Sequence, residues 1–225
     1  DLYQIRISSG EKYGYSDLFS IKPPNWKEKI GVEFQWSEEV FGKPYVIGAG
    51  EKGASILFSK ERGNSQKYTG LYFNAYAPDY ELFPPGFGVF TGTEDITSYC
   101  PQPLKVKIDN GLKMCKIIEV AGQKAIFETF ANNYECSSEF LVYVYFNNRS
   151  SSLYKGLVFT LMRLDVAGEV LRFMPDCLGE GNEEKYKSDF YIQSINVIEN
   201  KNLSEKDKEK LEAFNQMVST FRFSE

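Results

Sequence analysis

Residues 204–223 read SEKDKEKLEAFNQMVSTFRF, and their pattern changes from charged to apolar to alternating. Ser204 is a favoured N-cap residue, and Asp207 stands three positions later, in a capping-box arrangement. An apolar stripe follows at spacings of three and four, made by Leu211, Phe214, Val218 and Phe221. The stretch predicts a helix with a solvated start and a buried end, which lies on a sheet and leads into an extended tail at 220–223.

The chain upstream of this helix is dominated by strand patterns. Apolar and polar residues alternate over several stretches, and Asn110-Gly111 supplies the positive φ angles of a two-residue hairpin turn. GAGEKGAS at 48–55 lacks the GxGxxG spacing and no helix-forming segment follows it, so a hairpin is favoured over a phosphate loop. Strands are predicted within 19–22, 30–36, 41–63, 68–80, 104–131, 138–148, 154–166 and 189–199.

These elements predict an α+β fold, in which an antiparallel β-sheet carries the C-terminal α-helix on one face. No repeat, low-complexity tract or linker divides the 225 residues, so we expect a single domain over 1–225. Residues 81–104 are rich in aromatic residues, Pro and Gly, and are expected to form a loop insertion. The three phenylalanines of this loop either form a binding surface or fold back over the core; they are Phe83, Phe87 and Phe90.

Tyrosines form a second candidate surface. If the strands within 68–80 and 138–148 pair, four tyrosines project from the same face: Tyr72, Tyr76, Tyr143 and Tyr145. Tyrosine combines a large rigid ring with a polar tip, which suits a protein or glycan partner. The alternative is a sheet face that the helix or a loop covers.

The composition excludes several classes of protein. The chain contains no histidine, which rules out Ser-His-Asp and Cys-His catalysis as well as His-ligated zinc. The net charge is −5 and the basic residues are scattered among acids, so no nucleic-acid partner is expected. The longest apolar run, FLVYVYF at 140–146, is too short to cross a bilayer as a helix, which takes about 20 residues.

Four cysteines stand at wide spacings, without a CxxC pair: Cys100, Cys115, Cys136 and Cys177. Such spacing fits two disulfides in an oxidising compartment, whereas four reduced, buried thiols would fit a cytosolic protein. Three connectivities are compatible with the sequence. We favour the pairing of neighbours, Cys100 with Cys115 and Cys136 with Cys177. The chain begins DLYQIR, without Met, as expected of a processed secreted protein or a trimmed chain.

Carboxylates are the abundant acid–base groups and suggest two kinds of site. Glycosidases need two carboxylates across a sugar-sized gap, for which Glu94 with Asp95 and Glu128 with Glu135 are candidates. Clustered oxygens also attract calcium, although the EF-hand spacing is absent. The calcium candidates are Asp176, Glu180, Asn182, Glu183 and Glu184. For both sets, solvated surface acids are the interpretation we favour.

Two stretches near the ends of the chain resemble PsbP-like proteins. FSIKPPNWK at 19–27 resembles an early strand of that family, which is followed by Pro and Trp, and STFRF at 219–223 resembles the Ser/Thr-Phe-x-Phe element that ends its last helix. The middle of the chain, with its cysteines and aromatic loop, departs from the family pattern. The resemblance carries over no catalytic residue. It implies a non-enzymatic accessory module, secreted or membrane-tethered, as among bacterial extracytoplasmic proteins and lipoproteins.

We therefore expect a secreted or cell-envelope accessory protein that binds another protein or assembles with itself. A lipid or envelope tether is compatible with this expectation, and no cofactor, metal or catalytic residue is expected. The candidate binding residues are Phe83, Phe87, Phe90, Tyr72 and Tyr76. The alternative is carbohydrate binding or hydrolysis through the aromatic loop and the carboxylates.

Overall fold

The computed structural model describes residues 2–3, 6–9, 12–15, 19–20, 30–50, 53–61, 68–77, 95–100, 105–108, 111–134, 137–148, 154–162, 164 and 183–223. The short strands are β1 (Leu2–Tyr3), β2 (Arg6–Ser9), β3 (Lys12–Tyr15), β4 (Phe19–Ser20), β5 (Val32–Glu33) and β14 (Arg222–Phe223). The main strands are β6 (Lys43–Gly50), β7 (Gly53–Ser59), β8 (Tyr68–Tyr76), β9 (Lys105–Ile108), β10 (Gly111–Val120), β11 (Gln123–Tyr134), β12 (Ser137–Asn147) and β13 (Gly156–Leu161). The helices are α1 (Glu38–Phe41), α2 (Glu183–Glu199) and α3 (Glu205–Ser219), and Ile96–Tyr99 forms a 3₁₀ helix.

Two meanders meet at the centre of one antiparallel sheet. Its strand order is β6-β7-β8-β13-β12-β11-β10-β9, and β8 joins the two meanders by pairing with β13. The predicted α+β class with an antiparallel sheet is confirmed. The hairpin expected within 41–63 is also confirmed as β6 and β7. The hairpin expected around Asn110-Gly111 is confirmed as β9 and β10, but Gly111 pairs with Ile108 and belongs to β10, so it is not a turn residue as predicted.

One face of the sheet packs against α3, and we call it the helix face. Register places Phe73, Phe159 and Val144 side by side across three strands on this face. The ring of Phe159 is fully buried and lies 4.7 Å from that of Phe73 and 5.0 Å from that of Phe34, measured between centroids. The apolar stripe predicted for α3 is buried in the same cluster: Leu211, Phe214, Val218 and Phe221.

The residues after α3 leave the helix and form β14, as predicted. Arg222 pairs with Glu33 in the ladder between β14 and β5, and its Nη2 lies 2.6 Å from Glu33 Oε2. Thr220 Oγ1 accepts a hydrogen bond from Gln35 N at 2.9 Å. Two segments that are far apart in sequence are therefore joined beside the core.

The N-cap of α3 gives a testable contribution to stability. Ser204 Oγ accepts a hydrogen bond from Asp207 N at 3.1 Å, as the sequence predicts. We expect Ser204→Ala to lower the free energy of unfolding by about 1 kcal/mol, because a helix-terminal N–H loses its partner. Urea unfolding followed by circular dichroism measures this change. Ser204→Asp, which keeps an acceptor, should stay close to the native stability, and equal losses in both variants would contradict the capping role.

The strand predicted over 189–199 is wrong, because these residues belong to α2. Ile192, Ile195 and Val197 suggest alternation with one slip, which the sequence analysis interprets as a bulge. The spacing of three between Ile192 and Ile195 is instead the helical repeat. Ile195 and Val197 are buried in the core cluster whereas Ile192 is exposed.

The strand predicted over 30–36 is shorter than expected. Its alternation is real, since Ile30, Val32 and Phe34 are buried and Gln35 is exposed. However, among the described residues, ladder pairing of this stretch is confined to Val32 and Glu33, which face β14. Because β14 has two residues, it limits β5 to the same length, even though the alternating pattern of the sequence extends further.

Candidate functional site

A groove on the helix face lies between β10, β11, α2 and α3. Its volume is about 800 Å³, within the range of small-ligand pockets. Its floor is apolar and is contributed by both strands and both helices: Ile118, Phe127, Ile195, Ile198, Leu211 and Val218. Such a concave apolar surface, rimmed by polar residues, is typical of a binding site.

The rim of the groove carries charges of both signs. The strands contribute Lys116 and Glu119, α2 and the turn after it contribute Glu199 and Lys201, and α3 contributes Lys208 and Glu212. Lys116 Nζ lies 4.6 Å from the centroid of the Phe127 ring, so its ammonium stands above the apolar floor. Lys208 Nζ lies 2.6 Å from Glu205 Oε1 on the same helix. Each wall therefore offers one cation and one anion to a partner.

The position of α2 creates the groove. α2 packs against β10 and β11, and the turn at 200–204 leads the chain into α3. α3 then presents two neighbouring stripes. One stripe, with Phe214 and Met217, is buried in the core, whereas the other, with Lys208 and Asn215, lines the groove. The groove residues of α2 were not predicted, because residues 189–199 were expected to form a strand. The spacing of three between Ile195 and Ile198, which both line the groove, is the helical signal that could have revealed them.

The opposite face of the sheet carries the tyrosines, and we call it the tyrosine face. Register aligns Tyr72, Thr160, Tyr143, Glu128 and Cys115 in one row across five strands. The predicted projection of four tyrosines from one face is thus present. Tyr143 and Tyr145 are buried, with ring centroids 5.5 Å apart, whereas Tyr72 and Tyr76 are half-buried. The two tyrosines nearest the centre of this face are therefore not open to a partner.

A disulfide places the 3₁₀ segment on the tyrosine face. Cys100 and Cys115 are bonded, with their Cα atoms 5.7 Å apart, which confirms the predicted pair. Ile96 and both cysteines belong to one buried cluster with Tyr143 and Tyr145. The segment at 95–100 therefore packs over this part of the face. The predicted partners Cys136 and Cys177 lie outside the described residues.

The tyrosine face contains a buried carboxylate. Glu128 is 1% exposed and stands directly opposite Tyr143 on the neighbouring strand. Burial raises the pKa of Tyr145 well above its ordinary value of 10.0, and the nearby Glu128 charge raises this pKa further. Both burial and the Glu128 charge disfavour the negatively charged phenolate form of Tyr145.

This shift predicts a pH dependence for stability. The folded protein keeps the Tyr145 proton to a higher pH than the unfolded chain, so stability is complete below pH 10 and falls as the pH rises above it. One proton gives a slope of up to about 1.4 kcal/mol per pH unit. We expect Tyr145→Phe to flatten this slope in urea unfolding measured from pH 9 to 11. Equal slopes in the two proteins would contradict the assignment.

Three further sequence-predicted candidates, Asp95, Glu183 and Glu184, lie in described parts of the chain. Asp95 is exposed, and its Oδ1 accepts hydrogen bonds from Thr97 N and Thr97 Oγ1 at 3.1 and 2.7 Å, which lower the pKa of this carboxyl. Asp95 thus caps the 3₁₀ helix. Glu183 and Glu184 open α2. The remaining candidates lie outside the described residues: Phe83, Phe87, Phe90, Glu94, Glu135, Asp176, Glu180 and Asn182.

Two kinds of feature are absent from the described part of the chain. No three Cys, Asp or Glu side chains gather there in a way that could hold a metal ion. None of the helices described above combines the length and the apolar character needed to cross a bilayer. Among known proteins, no family model, no curated protein and no solved structure matches this chain.

Proposed function

We propose that the protein is a secreted or cell-envelope accessory protein that binds another protein within an assembly and catalyses no reaction. The groove between the C-terminal helices and the sheet is the observation that carries this proposal. A partner that covers the apolar floor binds more tightly, because removing apolar surface from water lowers the free energy by roughly 25 cal/mol per Å². Its rim carries Lys and Glu residues from both the strands and the helices, and these favour partners of complementary charge.

The disulfide supports the extracytoplasmic part of the proposal. The Cys100–Cys115 bond is of a kind that persists in oxidising compartments and is rare in the cytosol. The resemblance of the two ends of the chain to PsbP-like proteins points to the same type of accessory role. Mass spectrometry of the native protein without reduction tests the location, and free thiols at both positions would overturn it.

A carbohydrate ligand receives less support from the same groove. Among the described lining residues, Phe127 is the single aromatic ring on which a sugar could stack. On the other face of the sheet, Tyr143 and Tyr145 are buried. We therefore retain protein binding as the proposal.

Filling the groove tests the proposed function. Asn215 and Gln216 are both exposed residues of α3, but Asn215 lines the groove and Gln216 does not belong to its described lining. We expect Asn215→Trp to lose the partners that the native protein recovers from its own cell-envelope extract, and the matched variant Gln216→Trp to keep them. A native protein that stays a lone monomer and recovers nothing, or equal recovery by both variants, would overturn the proposal.

A further inference from the structure

We propose that the partner enters as an extended segment that pairs with the outer edge of β10 at residues 115–119. The proposal rests on the function proposed above and states how the groove is used. It concerns the side of β10 that faces away from β11. The partner becomes one further strand beside β10, and some of its side chains face the groove.

The unequal lengths of two neighbouring strands open this edge. β10 runs from Gly111 to Val120 and pairs with β11 along its whole length. On its other side, the described residues pair it with β9 over Gly111 to Met114 alone. Within the part of the chain that the structure describes, no strand continues beside 115–120. A row of unpaired backbone groups of this kind is a template for another strand.

The hairpin turn shows which backbone groups face outwards. Val120 and Gln123 close a two-residue turn in which Ala121 and Gly122 have φ angles of 51° and 71°. The closing pair of such a hairpin exchanges both hydrogen bonds, and the pairs alternate from there. Even-numbered residues of β10 therefore bond to β11. Cys115, Ile117 and Glu119 direct their N–H and C=O groups to the outer edge.

Side chains at this edge also fit a docking strand. Ile117 is 41% exposed, one of the few large apolar side chains with such exposure among the described residues. On the helix face, Lys116 and Ile118 line the groove, so the edge and the groove form one continuous surface. At the opposite edge of the sheet, β6 carries Pro44 and a bulge between Val46 and Gly48. Proline and bulges obstruct edge pairing, and β10 has neither over 115–120.

Charge complementarity gives the chemistry of the partner. Opposite charges on directly paired residues stabilise a ladder, as do pairs of apolar residues. The partner residue opposite Lys116 is therefore expected to be acidic and the one opposite Glu119 basic. Those opposite Ile117 and Ile118 are expected to be apolar. An antiparallel partner segment therefore reads basic, apolar, apolar, acidic from its N-terminal end. We assign the edge to such a segment of a partner protein.

A defined peptide tests this assignment. The probe is the C-terminally amidated hexapeptide TKVVET with an N-terminal fluorescein, with binding to the full chain measured by fluorescence anisotropy and by chemical shifts at Ile117 and Glu119. We expect saturable binding that backbone N-methylation of the lysine and of the second valine abolishes. These two residues stand opposite Glu119 and Ile117, so their N–H donors to β10 are lost while the side chains stay. The reversed-charge peptide TEVVKT should bind roughly tenfold more weakly. Equal binding of the N-methylated peptide, or no binding of TKVVET, would overturn the proposal.

Variants of the protein at Ile117 test the same assignment from the side of β10. Ile117→Pro removes an N–H that points outwards, a position that an edge strand tolerates, and should abolish peptide binding. Ile117→Thr, which keeps the N–H, should retain it. Two results would assign the edge to this chain itself and overturn the proposal: exchange protection of the Ile117 and Glu119 amides in the free protein, or dimers that Ile117→Pro dissociates. If the peptide fails while Asn215→Trp still loses its native partner, the groove function stands and the strand pairing alone fails.

Discussion

Replacing Phe159 by alanine is expected to lower the free energy of unfolding by roughly 3–5 kcal/mol, the largest effect we anticipate for one side chain. Phe159 is fully buried at the seam where β13 pairs with β8. Its ring contacts those of Phe34, Phe73, Phe146 and Phe221. The substitution removes apolar contacts and leaves a cavity that strands on both sides restrain from closing. Equilibrium unfolding in urea measures the loss.

A matched control separates this effect from the general cost of removing an apolar group. Ile47 is the most exposed of the large hydrophobic side chains described, at 58%. We expect Ile47→Ala to change stability by no more than about 0.5 kcal/mol. If the two variants lost similar amounts, the cluster around Phe159 would not be the core of the folded state.

Removing the Cys100–Cys115 disulfide should cost roughly 3 kcal/mol, the value expected for a closed loop of this length. The two cysteines are separated by 15 positions, and the bond restricts the unfolded chain between them. We propose the double variant Cys100→Ala with Cys115→Ala, which leaves neither thiol to mispair. Its urea midpoint under non-reducing conditions, compared with that of the native protein, gives the difference.

The packing of the 3₁₀ segment provides an independent readout of the same bond. Ile96 is buried next to Tyr143 and Tyr145 while the disulfide holds the segment. In the double variant we expect faster hydrogen exchange at 96–100 and unchanged exchange in β12. An unaltered urea midpoint together with unaltered exchange would show that the bond adds nothing to the fold.

Local patterns predicted the elements whose signals do not depend on distant partners. The N-cap at Ser204 and the apolar stripe of α3 can be found in sequence because capping and helical periodicity act within a few residues. The hairpins follow from local turn signals for the same reason, although Gly111 pairs within β10 and the predicted turn position is off by one residue. The shared face of Tyr72 and Tyr143 follows from strand alternation once the register is known. Their strands do not pair directly as the prediction supposed, because β13 lies between β8 and β12.

The sequence alone does not distinguish strand from helix where both the strand period of two and the helical period of 3.6 fit the same residues. Ile192, Ile195 and Val197 fit a bulged strand or a helix, and the sheet against which α2 packs decides between them. The groove depends on this helix, so its position could not be predicted either. The burial of Tyr143 depends on the segment at 95–100, which a disulfide positions from outside the strand. Contacts between distant parts of the chain therefore set both outcomes.

The ladder between β5 and β14 has a consequence for how the molecule is made. It joins Glu33 to Arg222, residues 189 positions apart in sequence. Phe221, which packs between Phe34 and Phe146, is likewise synthesised long after Phe34. While the ribosome is still elongating the chain, the nascent sheet exposes the apolar surface that α3 later covers. Final folding must wait until residue 223 has left the exit tunnel, and contacts of such wide separation make that step slow.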